Sequence, residues 1–417
     1  MNPLIKNMLR LCMGFAAAAA LFLPLAAFSQ GSLTPPGPPA PTMKKLDEVE
    51  PRTNLQATPA PVGVDTSNTD YHFIINQPGS YYLSASILVT KTHGIQINAE
   101  GVTLDLNGFQ ISRVSPSGNG IEILDTSHRT TIRNGTVKGF LFGINGNTAS
   151  ACAFRDLAVT GCTSYGILTG PGAVLESCRA HDNSGNAGIA AGQGSTLSNC
   201  AANSNTAALG ISAGAGCALT NCSASSNTAT YGINASNGSS LTNCSASFNT
   251  GTGSGSGGIN AGSGSTLTYC TAYSNGTTAG SPNSSTGIGF NLSTGCTIQN
   301  CTAQSNRGDG IKAVNDCVLR ENNSALNSNG AGIRTYGNNN RIEGNHVIGN
   351  SRGISVDTSG SLIIKNSASG NSIDYVIVAN NRYGPIVDIS AFGAPAVSGK
   401  SAPDTTATSH PWANFSY

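Results

Sequence analysis

Paired small and apolar positions recur along this chain at a long, regular interval. Gly-Ile pairs begin at Gly94, Gly120, Gly143, Gly166, Gly188, Gly210, Gly232, Gly258, Gly287, Gly310, Gly332 and Gly353, most of them 22 or 23 residues apart. A second signature follows nine to eleven residues after most of these glycines. It ends in Cys at Leu175-Glu176-Ser177-Cys178, Leu197-Ser198-Asn199-Cys200, Leu219-Thr220-Asn221-Cys222, Leu241-Thr242-Asn243-Cys244, Leu267-Thr268-Tyr269-Cys270 and Ile298-Gln299-Asn300-Cys301. A period near 22 over about a dozen copies is the mark of a solenoid. Helical repeats need longer units, leucine-rich repeats need more Leu-type positions per unit, and a left-handed hexapeptide helix favours multiples of six. The pattern therefore predicts an all-β chain, a right-handed parallel β-helix of about twelve coils. Each coil is expected to give one short strand around Gly-Ile and one around Leu-x-Asn-Cys.

Counting the Leu as position 0 turns the repeat into columns. Position +3 holds Cys178, Cys200, Cys222, Cys244, Cys270 and Cys301, then Asn322, Asn345 and Asn366. Position +5 holds Ala180, Ala202, Ala224, Ala246, Ala272 and Ala303. Position +8 holds Asn183, Asn205, Asn227, Asn249, Asn275, Asn306, Asn350 and Asn371. In-register parallel stacking brings like side chains to about 4.8 Å from each other, where amides bond up and down the file. These columns are expected to be structural ladders. The Cys column is expected to be buried and reduced, because stacked β-carbons stand farther apart than a disulfide prefers. No Cys/His cluster has metal-ligand spacing, and no metal or other cofactor is expected.

Composition narrows the function classes. Of 417 residues only 10% are charged, the net charge is +1, and 52 are Gly. That leaves no basic surplus for nucleic acid and too little Glu, Lys and Leu for a coiled coil. Lys6 and Arg10 precede an apolar run to Phe28, which reads as a signal peptide, 1–29, cleaved after Ser29. No second apolar run of membrane-spanning length follows. The expected location is secreted, periplasmic or cell-surface. Residues 30–62 carry eight prolines and read as an extended linker. Residues 63–92 are expected to cap the first coil, 93–378 to form the β-helix, and 379–417 to supply a C-terminal cap and tail. Trp412, Phe415 and Tyr417 in that tail suit either docking back onto the body or a recognition peptide.

The stretch Gly101-Val102-Thr103-Leu104-Asp105-Leu106-Asn107-Gly108-Phe109, with Gly120-Ile121 and Ile132-Arg133-Asn134-Gly135-Thr136-Val137, resembles the secreted right-handed parallel β-helix repeat proteins of the pectin-lyase-like superfamily. Leu46-Asp47-Glu48-Val49-Glu50-Pro51-Arg52, Pro78-Gly79-Ser80-Tyr81-Tyr82-Leu83 and Asn414 extend the likeness over roughly residues 43–417. The resemblance is specific for fold and weak for activity. It implies polysaccharide lyase, epimerase or hydrolase chemistry on acidic glycans as one alternative, with Ca²⁺ a possible participant only there.

Such chemistry needs acid/base groups, and residues 183–306 contain no Asp, Glu, Lys, Arg or His. Ionisable candidates are left at the two ends: Glu122, Asp125, His128 and Arg133 near one, Asp309, Lys312 and Arg334 near the other. Lys312 and Arg334 each lie two residues after their coil's Gly and are expected to stack outward on neighbouring coils. A flat hydroxyl strip, Thr196/Ser198, Ala218/Thr220, Ser240/Thr242 and Thr266/Thr268, flanks the Leu column. The leading expectation is an exported β-helix with a structural, adhesive or glycan-binding role and no catalysis, its partner a polysaccharide or cell-surface glycan. An acid/base enzyme at a charged end is the second, and an ice- or water-ordering surface the third.

Overall fold

The computed structural model describes residues 52–251, 255–276, 286–388 and 410–417. The signal peptide, residues 30–51 of the linker and residues 389–409 of the tail lie outside the described residues. Among the described residues no helix is long and apolar enough to cross a membrane.

The coil beginning at Thr196 shows how the repeat folds. Thr196–Ser198 is a strand that buries Leu197 and leaves its hydroxyl neighbours outside. Asn199 then adopts left-handed backbone (φ 53°), which bends the chain and turns Cys200 inward. A second strand, Ala201–Asn203, buries only Ala202. Ser204 makes another left-handed bend (φ 54°), Asn205 turns inward, and the third strand, Thr206–Ala213, carries Gly210-Ile211. Each such coil thus has three strands, one more than the two signatures predict. The missing one is the Ala strand: Ala flanked by Ser, Thr or Asn has almost no apolar-polar contrast to read.

Successive coils pair in parallel and in register: Leu197 with Leu219, Ala202 with Ala224, and Ile211 with Ile233. The solenoid is all-β. Its Gly-Ile sheet has fifteen strands, of which the first, Val64–Asp65, pairs antiparallel and the rest stack as parallel coils. Fourteen coils therefore stand where the glycines count twelve. The first and last coils place His72 and Asp374 in the glycine column, next to inward Phe73 and Tyr375.

The glycine column has a steric cause. A Cβ on Gly94 would lie 2.2 Å from the carbonyl oxygen of Gly120, and one on Gly120 would lie 2.5 Å from that of Gly143. This contact also corrects the register at one coil. Phe290, not Ile288, is the inward partner of Ile259, and Gly289 rather than Gly287 occupies the column, its Cβ position 2.4 Å from the Gly310 oxygen.

The interior is one continuous apolar file, with Phe, Ile, Leu and Val early and Ala and Cys in the thin middle. All eleven cysteines of the described residues are buried and free. Cys178, Cys200, Cys222, Cys244, Cys270 and Cys301 stand in one column, as expected, and the Cys270 amide donates to Cys301 Sγ at 3.3 Å. The others fall in two further columns. Cys217, Cys296 and Cys317 share a file with Ser195, Ser239, Ser265 and Asn340 two residues before the Leu, whereas Cys162 heads the Asn file. Burial pushes the Cys162 thiol up to about 11, and raises Cys152 and Cys217 as well. Such thiols are poor nucleophiles.

The Asn ladder is fully bonded. In each rung Nδ2 donates to the next Oδ1 and to a backbone oxygen of an earlier coil, and the rung's backbone N–H donates to the same Oδ1. It continues through Asn327, a rung the spacing argument passes over, to Asn350 and Asn371. The Cys column becomes a second amide ladder at Asn322, Asn345 and Asn366, which Asn414 extends. Asn414–Ser416 pairs in parallel with Ser367–Ser369 and Ile386–Asp388, and Tyr375 Oη donates to the Phe415 oxygen at 3.0 Å. The closing segment therefore docks onto the body.

Candidate functional site

Outward positions on the Gly-Ile face form two files that flank the inward Ile. The residue just before the glycine gives one file: Tyr71, His93, Asn119, Phe142, Tyr165, Ala187, Leu209 and Tyr231. The residue just after the Ile gives the other: Gln96, Glu122, Asn145, Leu168, Ala190, Ser212, Asn234, Asn260, Asn291, Lys312, Arg334 and Ser355. Read together, the face is graded along the rod: aromatic and carboxylate first, amide in the middle, cationic last.

At the first end the Tyr71 and His93 rings stack at 4.5 Å, and Phe142 and Tyr165 stack at 5.7 Å. All four are partly exposed. The Tyr71 hydroxyl donates to Glu122 Oε2, and Gln96 Nε2 donates to the same oxygen at 3.2 Å. Burial and the Glu122 carboxylate raise the Tyr71 hydroxyl well above its ordinary range, so it stays a donor. The His93 ring is oriented by the Asn119 amide, which donates to Nδ1 at 3.0 Å. Sequence reasoning identified Glu122 but not its aromatic neighbours. Their signal is positional, since His93, Phe142, Tyr165 and Tyr231 each directly precede a repeat glycine.

The other candidates of this end are not gathered with Glu122. Asp125 is exposed in the following turn. His128 Nδ1 accepts the Ser150 amide at 3.0 Å, a structural bond to the turn of the next coil. Arg133 is on the Leu face, where its Nε donates to the buried Asp105 carboxylate at 3.0 Å. Proximity along the chain is a poor guide here, because neighbours in a solenoid lie one coil away.

The cationic end is brought together. Lys312 and Arg334 stack on adjacent coils as expected, and both lie over the Tyr336 ring, at 5.0 and 4.4 Å from its centre. Arg334 Nε donates to Asp357 Oδ2 at 2.9 Å, and Ser355 Oγ donates to the other oxygen at 2.9 Å. Ring and carboxylate thereby separate the two cations. Asp309 does not face solvent at all: it is fully buried, and Oδ1 accepts the Ala331 amide at 2.8 Å. Its burial pushes the carboxyl up to about 6. Tyr336 rises to about 12, through burial and then the nearby Asp309 charge. Beside this cluster a polar recess of about 180 Å³ is lined by Asn329, Gly330, Ala331, Arg334, Ser351 and Arg352. Among the described residues no group of three or more His, Cys, Asp and Glu is placed to hold a metal.

The hydroxyl strip is present as a register-matched surface: Thr196, Ala218, Ser240 and Thr266 align on one side of the Leu file, and Ser198, Thr220, Thr242 and Thr268 on the other.

A family model described as "Right handed beta helix region" matches residues 93–250 and 258–390. No curated protein matches the chain. Among solved structures, the mannuronan C-5 epimerase AlgE4 A-module of Azotobacter vinelandii is similar at 18% identity, over 74% of this chain and 91% of that one, with a TM-score of 0.47. The AlgE6 A-module of the same organism is similar at 16% identity, over 73% and 89%, with a TM-score of 0.46. The Dettilon tailspike protein is similar at 13% identity, over 72% and 61%, with a TM-score of 0.31. These likenesses concern the fold.

Proposed function

The chain belongs to the right handed beta helix family, and from that premise we propose that it is an exported β-helix that binds a glycan along its Gly-Ile face without turning it over. One observation carries the reading: two stacked pairs of partly exposed rings, Tyr71–His93 and Phe142–Tyr165, with Asn119 between them in the column, stand beside the carboxylate and amide side chains of Gln96, Glu122 and Asn145. Sugar rings present apolar C–H faces and hydroxyl edges, so paired apolar and polar files suit them. Neighbouring coils repeat about every 4.8 Å, close to the length of one pyranose residue.

Two features support binding without catalysis. Residues 183–306 contain no Asp, Glu, Lys, Arg or His. At the ends, three of the candidate groups already have partners: Glu122 is bonded by Tyr71 and Gln96, Arg133 bonds Asp105, and Arg334 bonds Asp357. The enzyme reading has the Tyr71–Glu122 contact in its favour, since a Tyr and a carboxylate can exchange a proton.

Affinity electrophoresis against acidic and neutral polysaccharides, with and without Ca²⁺, tests both parts. Retardation by at least one polysaccharide is expected, weakened about 3- to 10-fold by Tyr71→Ala or Tyr165→Ala, the loss of about 0.5–1.5 kcal/mol per aromatic contact. A protein retarded by none of them defeats the binding reading. Chain cleavage or release of unsaturated sugars by the wild type, abolished in Glu122→Gln, replaces it with the enzyme reading.

A further inference from the structure

The central coils carry almost no aromatic side chains, yet three exposed ones gather at the two edges of the Ala face. In the bend after the Leu strand, Asn199, Asn221, Asn243 and Asn300 occupy the left-handed position, but the coil between the last two has Tyr269 there (φ 55°). In the bend after the Ala strand, Ser204, Ser226, Ser274 and Ser305 occupy the left-handed position, but one coil has Phe248 (φ 55°) and the coil after Ser305 has Leu326 (φ 57°). Tyr273 is the third, on the outer side of the Ala strand Thr271–Tyr273, where neighbouring coils have Ser247 and Gln304. Left-handed backbone disfavours bulky side chains and tolerates Asn. Core packing does not offset that cost here, because Phe248 and Tyr269 are 52% and 60% exposed. An observed backbone outlier of this kind points to a use at the surface.

Phe248 lines a groove, and Tyr273 and Tyr269 stand on the neighbouring coil. Phe248 and Tyr273, on adjacent coils, meet edge to face at 5.3 Å. Phe248, Thr250, Ser274, Ser305, Ser328 and Asn329 line an open cavity of about 500 Å³, within the size range of ligand sites. Its walls run along the rod axis, with at least one hydroxyl or amide group from each coil. Arg307 is the single ionisable side chain among the lining residues.

We propose that this groove is a second carbohydrate site, separate from the Gly-Ile face, and that it takes a neutral oligosaccharide. Phe248 and Tyr273 supply the stacking surface, Tyr269 flanks it at the neighbouring bend, and Ser and Asn side chains bond the sugar hydroxyls. A polyanionic chain finds one cation here, too few to hold it. A neutral glycan satisfies apolar rings and uncharged donors and acceptors together.

The test uses the substitutions that restore the repeat: Phe248→Ser, Tyr269→Asn and Tyr273→Ser, combined. The probes are cellohexaose, xylohexaose, mannohexaose and laminarihexaose, with a hexagalacturonate as the acidic comparison, followed by calorimetry and thermal unfolding. The wild type is expected to bind at least one neutral hexasaccharide. The triple variant is expected to bind it tenfold or more weakly, with an unfolding midpoint equal to or above that of the wild type. Tyr383→Ala, which removes an exposed ring near the last coil, should leave this binding intact. Binding of no neutral hexasaccharide, binding unchanged in the triple variant, or an equal loss in Tyr383→Ala overturns the proposal. A lower unfolding midpoint with unchanged binding assigns the aromatic residues to stability and overturns it equally.

Discussion

Replacing one rung of the buried amide ladder, Asn227→Ala, isolates what that ladder contributes. Asn227 Nδ2 donates to the Ala202 oxygen at 2.8 Å and to Asn249 Oδ1 at 2.9 Å. Its Oδ1 accepts both the backbone and the side-chain N–H of Asn205, at 3.0 and 2.9 Å. Truncation leaves Asn249 Oδ1 with the backbone N–H of residue 227, but it strips partners from two donors of Asn205 and from the Ala202 oxygen. Each orphaned buried group costs about 1–3 kcal/mol. A water admitted to the vacated space recovers part of that. The net loss is about 2–5 kcal/mol. Urea unfolding followed by far-ultraviolet circular dichroism reads it as a lower midpoint at unchanged slope. Because solenoids can open in segments, hydrogen exchange at the Asn205 amide gives a local reading, expected to accelerate. The control is Asn221→Gly, which removes two exposed amide bonds, one donated to Asn199 at 3.2 Å and one accepted from Asn243 at 2.8 Å, from a left-handed position and should shift stability by about 0.5 kcal/mol or less. If Asn227→Ala costs no more than this control, the buried ladder is not a source of stability and the reasoning fails.

Two further outcomes follow from positions already described. Gly143→Ala would place a Cβ 2.2 Å from Val159 Cγ1 and 2.6 Å from the Gly166 oxygen, costing about 3 kcal/mol or more, whereas Gly194→Ala meets only left-handed backbone (φ 67°) in open space and costs about 1 kcal/mol; equal melting points would refute the steric account. Asp309 is held at about 6 against an ordinary 3.8, so the folded state retains its proton longer than the unfolded chain. The carboxyl's contribution is therefore intact below pH 4 and is lost as pH rises through 6. Asp309→Asn should be more stable than the wild type at pH 7–8, by about 1–3 kcal/mol, with the difference vanishing at acid pH; a gap independent of pH would contradict the burial argument.

Much of this architecture was legible because the sequence repeats the same residue at the same place. The Ile, Leu, Cys and Asn files each announce themselves by identity, and Cys200, Cys222 and Cys244 do stand one above another. The Ala strand was not legible, since its side chains are small and its flanks weakly polar. Neither were the end coils, where His72 and Asp374 replace the repeat glycine. At the coil carrying both Gly287-Ile288 and Gly289-Phe290, two adjacent pairs competed, and the pairing of Phe290 with Ile259 and the close approach of Gly289 to the Gly310 oxygen decide between them. The site was less legible for a geometric reason. Glu122 meets residues 26 and 51 positions earlier, Gln96 and Tyr71, and not Asp125 or His128 beside it in the chain. Grouping by column rather than by neighbourhood would have found His93, Phe142, Tyr165 and Tyr231, because each stands one place before a repeat glycine, whereas Tyr71 precedes His72.

Every rung of the inner ladder points the same way, its amide hydrogen aimed at the oxygen of the following coil. Stacked dipoles so aligned make the rod a vector, with unlike ends. At the head, Asn183 Oδ1 is met by the Cys162 amide. At the foot a surplus hydrogen would face outward, but Asn371 Nδ2 ends on the Asp374 carboxylate at 2.8 Å. Asn414 closes the companion ladder in the same manner, taking the last hydrogen of Asn366 and spending its own on backbone oxygens. A carboxylate accepts without offering anything back, so among the described residues this amide file ends on an acceptor at Asp374. The same polarity that lets rungs accumulate thus also sets the kind of group that can close each file.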